Sequence, residues 1–117
     1  MRMFVEVKHV YLCRTPVDFR KQINGLSALV QEQLQHDPFS EALFVFINRG
    51  RNRLKILYWE RNGFCLWLKR LEKNHFAWPR HLDDDLVCID EEQLHWLLDG
   101  FDIWRHPPHP RLSFSQV

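Results

Sequence analysis

"ALFVFINRGRNRLKILYWERNGFCLWLKR", residues 42–70, decides the fold. Three apolar runs, ALFVFIN, LKILYW and FCLWLKRL, are rich in β-branched and aromatic residues and are separated by short polar connections. Runs of this length and composition read as strands. The connections RGRNR and ERNG are turn-like, and Asn62-Gly63 is a strong hairpin signal. The segment is therefore expected to be an antiparallel β-meander. Side chains alternate between the two faces of a strand. Leu43, Val45 and Ile47 oppose Phe44 and Phe46; Leu54, Ile56 and Tyr58 oppose Lys55, Leu57 and Trp59; Phe64, Leu66 and Leu68 oppose Cys65, Trp67 and Lys69. Both faces are largely apolar, whereas a sheet with one wet face alternates more cleanly. One face is expected to carry the helices. The other calls for a terminal segment, a second copy or another protein. Phe44, Phe46, Trp59 and Trp67 are the candidate partner-binding residues, and a homo-oligomer is one candidate assembly.

Outward from this core, EVKHVYLC reads as a first strand. Thr15-Pro16-Val17-Asp18 carries the signs of a helix start: a cap hydroxyl, Pro at the first helical position and an acid to close a capping box. Phe19, Ile23, Leu26, Val30 and Leu34 then recur at helical spacing, predicting an amphipathic helix over about 16–35. Asn24-Gly25 interrupts it, so either the helix is continuous or Asn24 caps a second one. C-terminal to the meander, HFAWP is a candidate edge strand ended by Pro79, and LVCI a further strand. Asp90 then caps EEQLHWLLDG, with Gln93 completing a capping box and Gly100 as the stop. HPPHPRLSFSQV has no period and few apolar residues, and is expected to be an extended or disordered tail. The expected architecture is α+β: an antiparallel meander packed by an N-terminal and a C-terminal helix, one domain over 1–104 with a Pro/His tail over 105–117.

A near-neutral net charge of +1 conceals a division. Residues 49–80 hold nine Lys/Arg against two Glu, whereas 82–102 hold eight Asp/Glu and no Lys/Arg. Such asymmetry suggests a side that faces a polyanion; the alternative is two segments that neutralise one another within the fold. In a meander the 49–53 turn and the end of the third strand lie at the same end of the sheet. Arg49, Arg51, Arg53, Lys55, Lys69, Arg70 and Lys73 are accordingly the candidate nucleic-acid-binding residues. A basic ribbon of this kind can lie along phosphates with salt-dependent, sequence-independent affinity. The plainer reading is a solvated turn that keeps a sheet end soluble.

No catalytic or cofactor motif is found: no phosphate-binding Gly-rich loop, no dinucleotide fingerprint and no nucleophile elbow. Asp83–Asp85 are adjacent on one loop, whereas a two-metal site needs carboxylates converging from separate elements. The histidines and cysteines lack paired metal-ligand spacing. Cys13, Cys65 and Cys88 are three, well separated, and read as reduced thiols of a cytoplasmic protein. No catalytic residue, metal or cofactor is expected. No apolar run is long enough to span a membrane.

VDFRKQINGLSALVQEQL, DPFSEALFVFINRGRNRLKILYWERNGFCLWLKRLEKNHFAWP and QLHWLLDGFD, in that order, resemble the accessory TnpB proteins of the insertion sequence 66 family. The likeness covers about residues 8–104 and is densest in NRGRNRLKILYWERNGF and KRLEKNHFAWP. Two departures stand out: Val17-Asp18-Phe19-Arg20 where the family usually has Thr-Asp-Met-Arg, and Asn74 where it often has Gly. The resemblance implies a non-enzymatic accessory role in DNA transposition, beside a separate DDE transposase, and carries over no catalytic residue. Two mechanisms stay open. The basic sheet end binds DNA, or an apolar sheet face docks the transposase or another element-encoded protein.

Overall fold

The computed structural model describes residues 9–105. In chain order the elements are β1 (His9–Cys13), α1 (Ile23–Glu32), β2 (Ala42–Ile47), β3 (Arg53–Glu60), β4 (Gly63–Arg70), β5 (Leu86–Ile89) and α2 (Glu91–Leu98). The five strands form one sheet in the order β4-β3-β2-β1-β5. β2, β3 and β4 are the antiparallel meander read from the sequence. β1 changes the character of the sheet. It pairs parallel with β2, α1 making the crossover, and antiparallel with β5. A parallel pair needs a long connection, and the 14–41 segment supplies it. The sheet is thus mixed rather than a pure meander.

Both sheet faces are apolar because each carries its own helix, and the expectation that one face holds both helices is corrected. Leu26, Leu29 and Val30 of α1 pack on Phe44, Phe46 and Leu57. Leu94, Leu97 and Leu98 of α2 pack on the opposite face, against Val10, Leu12, Leu43, Val45 and Ile56. Phe76, Trp78 and Ile103 fill out that second layer. Over β1–β3, the face expected to await a partner is therefore covered from within the chain.

Local signals fare unevenly. The α2 start is as the sequence reads: Asp90 Oδ1 accepts from the Gln93 N–H at 2.7 Å, and Gln93 Oε1 accepts from the Asp90 N–H at 2.9 Å. Gly100 follows the helix at φ +95°, a value that favours glycine. α1 is shorter than expected and starts seven residues later. Gln22, with no side-chain cap, precedes it. Asp18 instead makes a turn of its own, accepting from the Arg20 N–H at 2.9 Å and pairing with the Arg20 guanidinium at 2.7 Å. An acid that bonds its own neighbour's backbone competes with helix formation. Pro16 and Phe19 therefore lie in a loop.

Two further readings are corrected. The β3–β4 turn is Arg61-Asn62, with Gly63 opposite Glu60 as the first residue of β4 and Arg61 at φ 50°. The apolar pattern sets this register, since a one-residue slip turns every side chain to the other face. HFAWP is not a strand; it crosses the α2 face of the sheet. There Trp78 Nε1 donates to Arg14 O, and Trp104 Nε1 donates to Ala77 O, both at 3.0 Å. The expected tail lies outside the described residues apart from Arg105. Among the described residues, no helix is long and apolar enough to cross a membrane.

Candidate nucleic-acid interface

The 48–53 turn is built by Asn48. Its Oδ1 accepts from the N–H groups of Asn52 and Arg53, both at 3.0 Å, and its Nδ2 donates to Asn52 Oδ1 at 2.8 Å. Arg51 sits at φ 60° inside this turn. A non-glycine residue in that conformation is held by its surroundings. The chain beyond β4 returns to the same turn. Leu71 N–H bonds Asn52 O at 2.8 Å, Phe76 N–H bonds Arg51 O at 2.7 Å, and His75 Nδ1 lies 2.9 Å from Gly50 O. The 49–53 turn and the 70–76 segment therefore form one corner of the molecule.

Arg49, Arg53, Arg70 and Lys73 are exposed at this corner, and Arg51 is half-buried. Arg53 and Arg70 are directly opposite across the β3–β4 ladder. Like charges in that relation repel. Glu72 relieves part of this, accepting from Arg70 Nε at 3.0 Å. A bound anion would relieve the rest.

Two residues expected here belong elsewhere. Lys55 is 5% exposed. Its Nζ donates to Phe19 O at 3.0 Å and Lys21 O at 2.8 Å, and lies 4.8 Å from the Phe19 ring centre. Burial lowers its pKa. It holds the loop ahead of α1 against the sheet, with no reach to a phosphate. Lys69 points to the α2 face and donates to Leu98 O at 2.7 Å, capping the C-terminal end of that helix.

The expected partner-binding residues also divide. Phe44 and Phe46 are fully buried under α1, which removes them from any docking surface. Trp67 is half-buried against the α2-side core. Trp59 is half-buried and meets Phe39 and Phe64, each with ring centres 5.0 Å away. Phe39 and Leu68 are exposed, at 53% and 56%. Neither stands out in the sequence, because a loop residue after Pro38 and one strand leucine among many carry no local signal.

The acidic segment is split by the fold. Asp90–Glu92 lie at the opposite end of the sheet from the basic corner, because β5 runs away from it. Asp83–Asp85 precede β5 at the corner's own end, but on the far edge of the sheet. There Arg14 binds the backbone, its N–H bonding Asp85 O at 3.0 Å and its Nε bonding Asp84 O at 2.9 Å. The ion pairs among the described residues are local, such as Arg70–Glu72 and Arg105–Asp102, and none joins the basic segment to the acidic one.

Among the described residues, no three His, Cys, Asp or Glu side chains gather as a metal site would require. Burial pushes the Cys13 thiol up to about 11, so it is protonated at neutral pH and a poor nucleophile. The fold and its surface thus define a small α+β protein with a basic corner and a helix on each face of its sheet.

Residues 8–108 match the family described as IS66 Orf2-like protein, and the chain belongs to that family. It is 37% identical over 98 residues to the uncharacterised protein y4hO of Sinorhizobium fredii, covering 84% of each chain. It is 36% identical over 93 residues to the uncharacterised protein y4jC of the same organism, covering 80% of this chain and 79% of that one. No solved structure matches it.

Proposed function

We propose that this chain is a non-enzymatic accessory factor in transposition of an insertion-sequence element, which holds DNA at the Arg49–Arg53 corner while a separate DDE transposase performs the chemistry. Family membership supports the transposition role. The observation that carries DNA contact is the facing pair Arg53 and Arg70 on a turn fixed by Asn48. Two arginines held side by side without a shared carboxylate suit a phosphate backbone. Guanidinium groups match phosphate geometry, and contacts to phosphate position a protein without reading bases.

The test is DNA binding by the purified protein across a salt series, with element-end and random duplexes. Arg49, Arg51, Arg53, Arg70 and Lys73 together set an upper slope of about −4.5 in log K against log salt. Arg49→Ala and Arg53→Ala should each reduce that slope by about one. Arg51→Gly should do the same without straining the turn, since glycine adopts the φ that Arg51 holds. Absence of binding at low salt, or slopes unmoved by these changes, refutes the reading. A preference for element ends would add base readout to it.

A further inference from the structure

The two edges of the sheet are built differently. β5 is short, at four residues, whereas β4 runs for eight with no buried residue, no proline and no break in its register with β3. Exposed edges are normally blunted by brevity, charge, proline or a bulge. From Gly63 to Leu68 the β4 edge has none of these. Lys69, the next charged residue along the strand, turns its ammonium to Leu98 O.

The register identifies the open backbone groups. Residues of an antiparallel strand alternate between bonding one neighbour and facing away. Leu71 N–H bonds Asn52 O, continuing the register in which Gly63 faces Glu60. Odd-numbered residues of β4 therefore bond inward. Phe64, Leu66, Leu68 and Arg70 direct their N–H and C=O groups to the outer edge, which no strand pairs among the described residues.

Those same residues share the α1 face, where the exposed apolar groups lie at both ends of the strand. Phe39 packs on Phe64 at one end, ring centres 5.2 Å apart, and is 53% exposed. Leu68 is 56% exposed at the other. Within one molecule the two cannot meet. A second copy running antiparallel brings them together. With the two-fold axis at Leu66, Leu66 faces its own counterpart. Leu68 then faces Phe64 of the second copy, beside that copy's Phe39. Arg70 lands opposite Asn62, so the ladder sets no like charges against each other.

We infer that the chain forms a two-fold dimer by antiparallel β4–β4 pairing centred on Leu66, joining two sheets into one of ten strands. The contact is the same patch on both copies and closes on itself, so it does not propagate into fibres. It is independent of the DNA reading and is tested without DNA.

The full chain is examined by sedimentation and by amide exchange. The expected mass is twice the 14.3 kDa of one chain. The amides of Phe64, Leu66 and Leu68 should exchange as slowly as their inward-bonded neighbours. Leu68→Glu places a carboxylate against the apolar Phe64 of the second copy. Because Leu68 is exposed in the single chain, the fold should survive while dimer affinity falls about a hundredfold. If that variant fails to fold, the wild-type amide exchange decides. A single-chain mass at the highest soluble concentration overturns the inference and leaves the patch to another occupant, such as the transposase. A dimer in which those amides exchange fast, or one that a folded Leu68→Glu retains, equally overturns it.

Discussion

Lys55 shows how a residue type misleads when its surroundings are hidden. It lies in a run of basic residues, yet its strand places it on the same face as Leu57, and the loop ahead of α1 closes over it. The carbonyls of Phe19 and Lys21 lose one side-chain donor together if the ammonium is removed. Lys55→Met keeps most of the stem and removes the charge. It should cost about 1–3 kcal/mol in urea unfolding, the range for buried groups left without a partner. It should leave the salt slope for DNA unchanged, unlike Arg53→Ala. A slope that falls with Lys55→Met would return the residue to the binding surface. Asn48 is the converse case. Asn before a turn is a familiar signal, but the two backbone N–H groups it would accept became visible only with the turn in place.

At the scale of elements, both helices were legible, but the start of α2 was legible and the start of α1 was not, for a physical reason. The start of α2 is fixed by Asp90 and Gln93 alone, a reciprocal exchange three residues apart. Nothing distant competes with it. The start of α1 depended on whether Asp18 would serve a helix or a turn, and the Arg20 guanidinium beside it favours the turn. The other end of α2 shows a device invisible to local reading, the Lys69 ammonium on Leu98 O from a strand 29 residues away. Asp90→Ala should destabilise the protein by about 1 kcal/mol through loss of the N-cap. Lys69→Ala should also lower the melting temperature while leaving DNA affinity unchanged at moderate salt. A variant that keeps full stability and loses DNA binding would move Lys69 back to the basic corner.

For the whole molecule the question is whether the acidic half shields the basic one. The corner on β3 and the Asp83–Asp85 loop beside β5 are three strand steps apart, about 14 Å. That exceeds the screening length of about 8 Å at physiological salt and falls well inside the ~30 Å at 0.01 M. Replacing Asp83, Asp84 and Asp85 together by Asn should raise DNA affinity several-fold at about 10 mM salt and leave it unchanged at about 150 mM. An equal gain at both would mean that the loop lies directly against the corner. By itself the sequence determined the β2–β4 meander, the strand β5, the capped helix α2 and the approach of the 49–53 turn to the end of β4. Each follows from periodicity, a turn or a cap written within a few neighbouring residues, or from one antiparallel reversal after another. Only the tertiary structure decided that β1 enters the sheet parallel to β2 and that the helices divide between the faces. It likewise decided that Lys55, Phe44 and Phe46 are interior. Two apolar faces fit equally a sheet covered twice from within and one awaiting a partner. The choice rests on contacts between segments far apart in the chain, whose closure no local pattern records.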